Sequence, residues 1–146
     1  MIIGLEHAAL SVTDLEKSIE FYRDILGMKH LRTIESTPEK GLGEIIGYPN
    51  AAARIAHLAS NANMLELFEY SVPAGRPIPA DLPGGRRQAD IGFIHIAFTS
   101  TDVVADAKVL AENGVEFVGD PVEYRPGVWV LYFYGPDREV CELRQT

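Results

Sequence analysis

The sequence predicts an α+β protein of two similar modules, each a strand, a helix and three more strands, with two mixed sheets that can curl around a shared cleft. Three observations predict this. The stretch His7-Ala8-Ala9-Leu10-Ser11-Val12-Thr13-Asp14-Leu15 returns as His95-Ile96-Ala97-Phe98-Thr99-Ser100-Thr101-Asp102-Val103, and both fit His-x-Ala-apolar-x-x-Thr-Asp-apolar. Leu65-Glu66-Leu67 returns as Cys141-Glu142-Leu143. The order of strand-like and helix-like patterning is also the same in each half. A repeat that spans half the chain means two modules rather than a solenoid.

The elements follow in order. Ile2 to Val12 reads as a strand carrying His7. Thr13 and Asp14 supply N-cap oxygens, with Glu16 placed after Thr13 as in a capping box. Leu15, Ile19, Phe21, Tyr22, Ile25 and Leu26 recur at helical spacing until Gly27 ends the helix. Met28 to Ser36 is the second strand. A loop follows, broken by Pro38, Gly41, Gly43, Gly47 and Pro49. Ala53 to Ala59 and Met64 to Phe68 form a hairpin around the polar turn Ser60-Asn61-Ala62-Asn63. Residues 71–90, rich in Pro and Gly, read as a linker and candidate lid between module one (about 1–70) and module two (about 91–146).

In the second half, Phe93-Ile94-His95-Ile96-Ala97-Phe98 is a strand with one imidazole, on the same side as Phe93 and Ala97. A helix from Asp102 to Asn113 is closed by Gly114. Val115 to Val118 is a strand, and Gly119-Asp120-Pro121 turns the chain. Val128 to Tyr134 and Glu139 to Leu143 are the last strands, around the turn Gly135-Pro136-Asp137. Trp129 and Tyr132 lie on opposite faces of their strand, so at most one lines a cleft.

Composition bounds the partners. A chain of 146 residues, 47% hydrophobic and 23% charged, is one ordinary globular domain with enough apolar residues for a core. No apolar run approaches the roughly 20 residues that cross a bilayer, and the N-terminal stretch has no secretory pattern. The single cysteine, Cys141, excludes an intrachain disulfide and fits a reducing, cytoplasmic setting. A net charge of −8 argues against nucleic acid or an anionic membrane as partner.

The chemistry lies in the repeated positions. A carboxylate on the concave side of a sheet is costly unless paired or metal-bound. One such glutamate, or one histidine in an apolar strand, has an ordinary structural explanation. Two of each at equivalent positions are hard to explain by packing. His7, Glu66, His95 and Glu142 are therefore candidate ligands of a divalent metal. Mixed nitrogen and oxygen donors suit zinc, nickel, cobalt, manganese or ferrous iron. His57 and His30 have no counterpart in the repeat and are read as structural. Cys141 is expected to be buried on the face opposite Glu142.

The motifs His7-Ala8-Ala9-Leu10, Asp14-Leu15, Phe21-Tyr22, Leu26-Gly27-Met28, Leu65-Glu66-Leu67, His95-Ile96-Ala97, Gly135-Pro136-Asp137 and Glu142-Leu143 together resemble the vicinal oxygen chelate superfamily over nearly the whole chain. That resemblance implies paired βαβββ modules forming a cupped sheet around a metal held by His7, Glu66, His95 and Glu142. It further implies a small-molecule substrate and a metal that stabilises its enediolate-like intermediate, with a ligand glutamate, Glu66 or Glu142, doubling as base. A homodimer is also implied.

Within the superfamily, four ligands including Glu66 resemble the glyoxalase I and isomerase branch. Extradiol dioxygenases use two histidines and one glutamate, and their last-strand signature is broken here at Gly135 and Arg138. Relatives that sequester antibiotics generally lack the metal ligands. Both remain the alternative readings. Bacterial glyoxalase I carries an arginine where this chain has Ser11 and an asparagine where it has Tyr70, which points to a substrate other than a glutathione adduct. Glu44 is the one candidate for a second base. Arg54, Arg86 and Arg87 are candidates to meet an anionic substrate, or are simply solvated charges.

Overall fold

The computed structural model describes residues 4–61 and 63–146. It has the expected α+β architecture, in two compact units, 1–77 and 78–146.

In unit one, β1 (His7–Ser11) leads into α1 (Leu15–Glu20), which runs on as a π-helical turn over Phe21–Ile25. The first-strand expectation for residues 2 and 3, like Ala62 of the hairpin turn, lies outside the described residues. Asp14 caps α1 by accepting from the Lys17 N–H at 3.0 Å. The Glu16 carboxylate accepts from Arg54 on the neighbouring sheet. Gly27, at φ 72°, stops the helix where a side chain would be strained. Then come β2 (Lys29–Ser36), β3 (Ala52–Ser60) and β4 (Asn63–Val72), in a sheet of order β1-β4-β3-β2. β1 runs parallel to β4, and the other pairings are antiparallel.

The stretch expected to be an open loop contains a short helix, α2 (Leu42–Ile46). Leu42 turns inward and packs with Ala51, Ala53 and Ile55, with Phe68 and Tyr70 against them. α1 covers the other face of the sheet, where Leu15, Tyr22, Ala56, Leu58, Leu65 and Leu67 are fully or almost fully buried. Burial of each such Leu is worth roughly 1.5–3 kcal/mol.

Unit two repeats the order with β5 (Ile96–Thr99), α3 (Val103–Glu112), β6 (Val122–Arg125), β7 (Val128–Tyr134) and β8 (Val140–Gln145), in a sheet of order β5-β8-β7-β6. His95 immediately precedes β5. α3 is capped by Asp102, which accepts from the Ala105 N–H at 2.9 Å. It packs on β7 and β8, burying Val103 and Leu110 with Leu131, Phe133, Cys141 and Leu143. Residues 115–118 are not a full strand, and 122–125, unforeseen in the sequence, are. Both pieces pair with the same edge of β7: the Val118 N–H donates to the Tyr132 carbonyl and the Tyr134 N–H to that of Glu116, while Val122 pairs with Val130. The Gly119-Asp120-Pro121 turn interrupts one edge and splits it in two. Among the described residues, no helix is long and apolar enough to cross a membrane.

Candidate functional site

Register decides which side chains meet. In unit one Ala9 pairs with Glu66, and Glu66 with His57 on its other side. In unit two Ala97 pairs with Glu142, and Glu142 with Tyr132. The two sheets therefore use one register, with an alanine on one side of each glutamate and a larger polar ring on the other. Each alanine leaves room for the histidine two residues earlier, which lies on the same face.

The structure brings His7 to Glu66 and His95 to Glu142. His7 Nε2 lies 3.4 Å from Glu66 Oε2, and His95 Nε2 lies 3.0 Å from Glu142 Oε2. His7 Nδ1 is bonded to the Glu6 carboxylate, which raises the imidazole's pKa above its ordinary value against a smaller lowering by burial; Glu66 adds to the rise. Glu142 is the more enclosed carboxylate, its side chain 7% exposed against 15% for Glu66. The Tyr132 ring sits 5.1 Å from that of His95, and Tyr132 pairs with Glu142 across the strands. Burial, then the Glu142 charge, push the Tyr132 pKa up. His95 Nδ1 is buried with no hydrogen-bond partner among the described residues.

His57 is not a bystander. Its Nε2 lies 3.2 Å from Glu66 Oε1, and its Nδ1 accepts from Arg32 Nε at 3.1 Å. The signal for it was in the hairpin: the turn pairs Ser60 with Asn63, and counting back three residues on each strand sets His57 opposite Glu66. His30 bonds locally to Thr33. The candidate anion-binding arginines are engaged within their own units. Arg54 holds Glu16, Glu35 and Glu69, Arg86 donates to the Ile91 carbonyl, and Arg87 is paired with Asp90. Glu44 is exposed on α2. Among the described residues, no group of three or more His, Cys, Asp or Glu side chains is arranged to hold a metal by itself. What each unit holds is a histidine–glutamate pair.

The profile of the Glyoxalase/Bleomycin resistance protein/Dioxygenase superfamily matches residues 4–143. The chain belongs to this superfamily. As a superfamily member it is 33% identical over 143 residues to a 2-epi-5-epi-valiolone epimerase from Actinomyces sp, covering 92% of this chain and 74% of the relative. It is 41% identical over 141 residues to an Escherichia coli lactoylglutathione lyase, covering 95% and 90%. The superfamily fold is also that of a glyoxalase family protein from Bacillus cereus, with a TM-score of 0.85 at 20% identity, covering 99% of this chain and 94% of that one. These relatives include lyases and epimerases, which supports an enzyme.

Proposed function

We propose that this superfamily member is a divalent-metal-dependent lyase or isomerase of glyoxalase I-like type. It acts on a small oxo or acyl substrate, with His7, Glu66, His95 and Glu142 as ligands. One observation carries the reading: the same histidine–glutamate pair stands at the same register in both units.

The donor set fits a metal. Two ligands each about 2.1 Å from one ion are about 3.0 Å apart at a right angle and about 3.4 Å apart at a tetrahedral angle, which brackets both pairs. The Glu6 carboxylate on His7 Nδ1 is the partner that an imidazole needs to turn a bare Nε2 toward an ion. When bound, a divalent metal supplies a Lewis acid for negative charge developing on adjacent substrate oxygens.

The chain's own contribution is proton transfer next to a carbonyl, by Glu66 or Glu142. Tyr132 stands opposite Glu142 on the neighbouring strand, and His95 Nε2 faces it at 3.0 Å. Above the site face of the first sheet, Ile55, Phe68 and Tyr70 form an apolar shelf covered by Leu42. A homodimer is proposed as well, as superfamily members commonly dimerise.

The test is a cobalt(II) titration of metal-free protein, which should show one site per chain. Metal-loaded protein in deuterated water should then exchange the α-hydrogen of at least one compound in a panel of 2-oxo acids and acyl thioesters. Absence of metal binding, or of exchange on every compound, sinks the reading. A second reading rests on the likeness to lactoylglutathione lyase: rapid turnover of a glutathione hemithioacetal would place this chain beside that relative despite Ser11 and Tyr70.

A further inference from the structure

We propose that Arg32 and His57 are positioning residues that fix which oxygen of Glu66 is offered to the metal. This rests on the metal-dependent reading above.

The argument runs on donors and acceptors. Arginine has no acceptor, so Arg32 Nε must donate to His57 Nδ1. A ring whose Nδ1 accepts carries its proton on Nε2. That protonated nitrogen lies 3.2 Å from Glu66 Oε1. His57 cannot then ligate a metal through Nε2, and Oε1 is the carboxylate oxygen on its side. Only Oε2 remains, and it faces His7 Nε2. Glu66 is thereby restricted to one-oxygen ligation on the side of His7.

The local backbone is built for this. β2 and β3 slip register between His30 and Arg32: His30 pairs with Leu58 and Arg32 with His57, so Leu31 is the extra residue of a bulge. Regular pairing would put Leu31 opposite His57. A bulge re-aims the following side chain, and here it aims the guanidinium at the imidazole. His57 is 7% exposed, so its ring is shielded from competing water, while Arg32 reaches it from the exposed edge of the sheet. Unit two has Tyr132 at the matching place, opposite Glu142.

The experiment compares wild type with Arg32→Met, His57→Leu and His57→Gln. Imidazole nitrogen NMR of the metal-free protein should show His57 with Nδ1 bare and Nε2 protonated, and Arg32→Met should disturb that state. His57→Leu should weaken cobalt(II) binding about 10–100-fold, the usual cost of losing a group that orients a ligand. His57→Gln, whose amide N–H replaces the Nε2 donor, should recover most of it. Melting of each metal-free variant shows that it is folded. A proton on Nδ1 in the wild type, or equal cobalt affinity in wild type and His57→Leu, overturns the proposal while leaving the metal reading intact. A wild type that binds no cobalt overturns both.

Discussion

Glu142 shows what a single side chain is asked to do. It lies between an imidazole and a phenol on a central strand and is 5% exposed. A buried carboxylate is retained at a cost unless its partners or an ion repay it. We expect Glu142→Gln to keep the fold, because the amide preserves volume, and to lower cobalt affinity at least about 10-fold. His95→Ala should do the same. Competition titration with a chromophoric chelator checks both, and unchanged affinity would remove these residues from the site. At this scale the sequence singled out His7, Glu66, His95 and Glu142 as candidates because they repeat. His57 and Tyr132 stayed hidden because they occupy matching register positions with different residue types. Arg32 was invisible for another reason, since the Leu31 bulge that aims it is a property of pairing and not of composition.

Elements that are short or shared between sheet edges were the hardest to read. α2 has five residues between Gly41 and Gly47, and those breakers mask it. Its existence depends on tertiary packing, through Leu42, rather than on propensity. Gly43 sits in it because an added Cβ would come 2.5 Å from the Tyr48 carbonyl. Gly43→Ala should therefore destabilise unit one by about 1–3 kcal/mol, measurable by denaturant unfolding. β6 went unread for the opposite reason: all four of its residues are exposed, so no buried alternation marks it. The helix-to-sheet link through Arg54 gives a pH test. Arg54 holds the Glu16 carboxyl below its ordinary range, with burial opposing weakly. The pair's stabilisation is thus complete above the unfolded carboxyl pKa of about 4.3 and is lost as pH falls through the lower folded value. Glu16→Gln should lower the melting temperature slightly at about pH 7 and leave it unchanged at about pH 2; an equal loss at both would exclude the ion pair as the cause.

On the scale of the whole chain, the duplication is the organising fact. It was legible because the repeat preserves the cap aspartates, Asp14 and Asp102, along with the glutamates, and those fix helix start and strand register alike. If metal binds the folded protein alone, then free metal at about 100 times its Kd should add about 2.7 kcal/mol to stability, and a chelator should remove it. Thermal melts with and without chelator read this directly, and coincident melts would argue against a structural share for the metal. The single cysteine offers a further handle. Cys141 is 0% exposed on β8, between β5 and β7, and adjoins Glu142 in sequence. Its thiol can meet a labelling reagent only when unit two opens, so the labelling rate is an intrinsic clock for that unit alone. Unit one contributes no thiol to the signal. A natural protein thus carries a built-in reporter of how often its second half opens, and of whether a bound ion slows that opening.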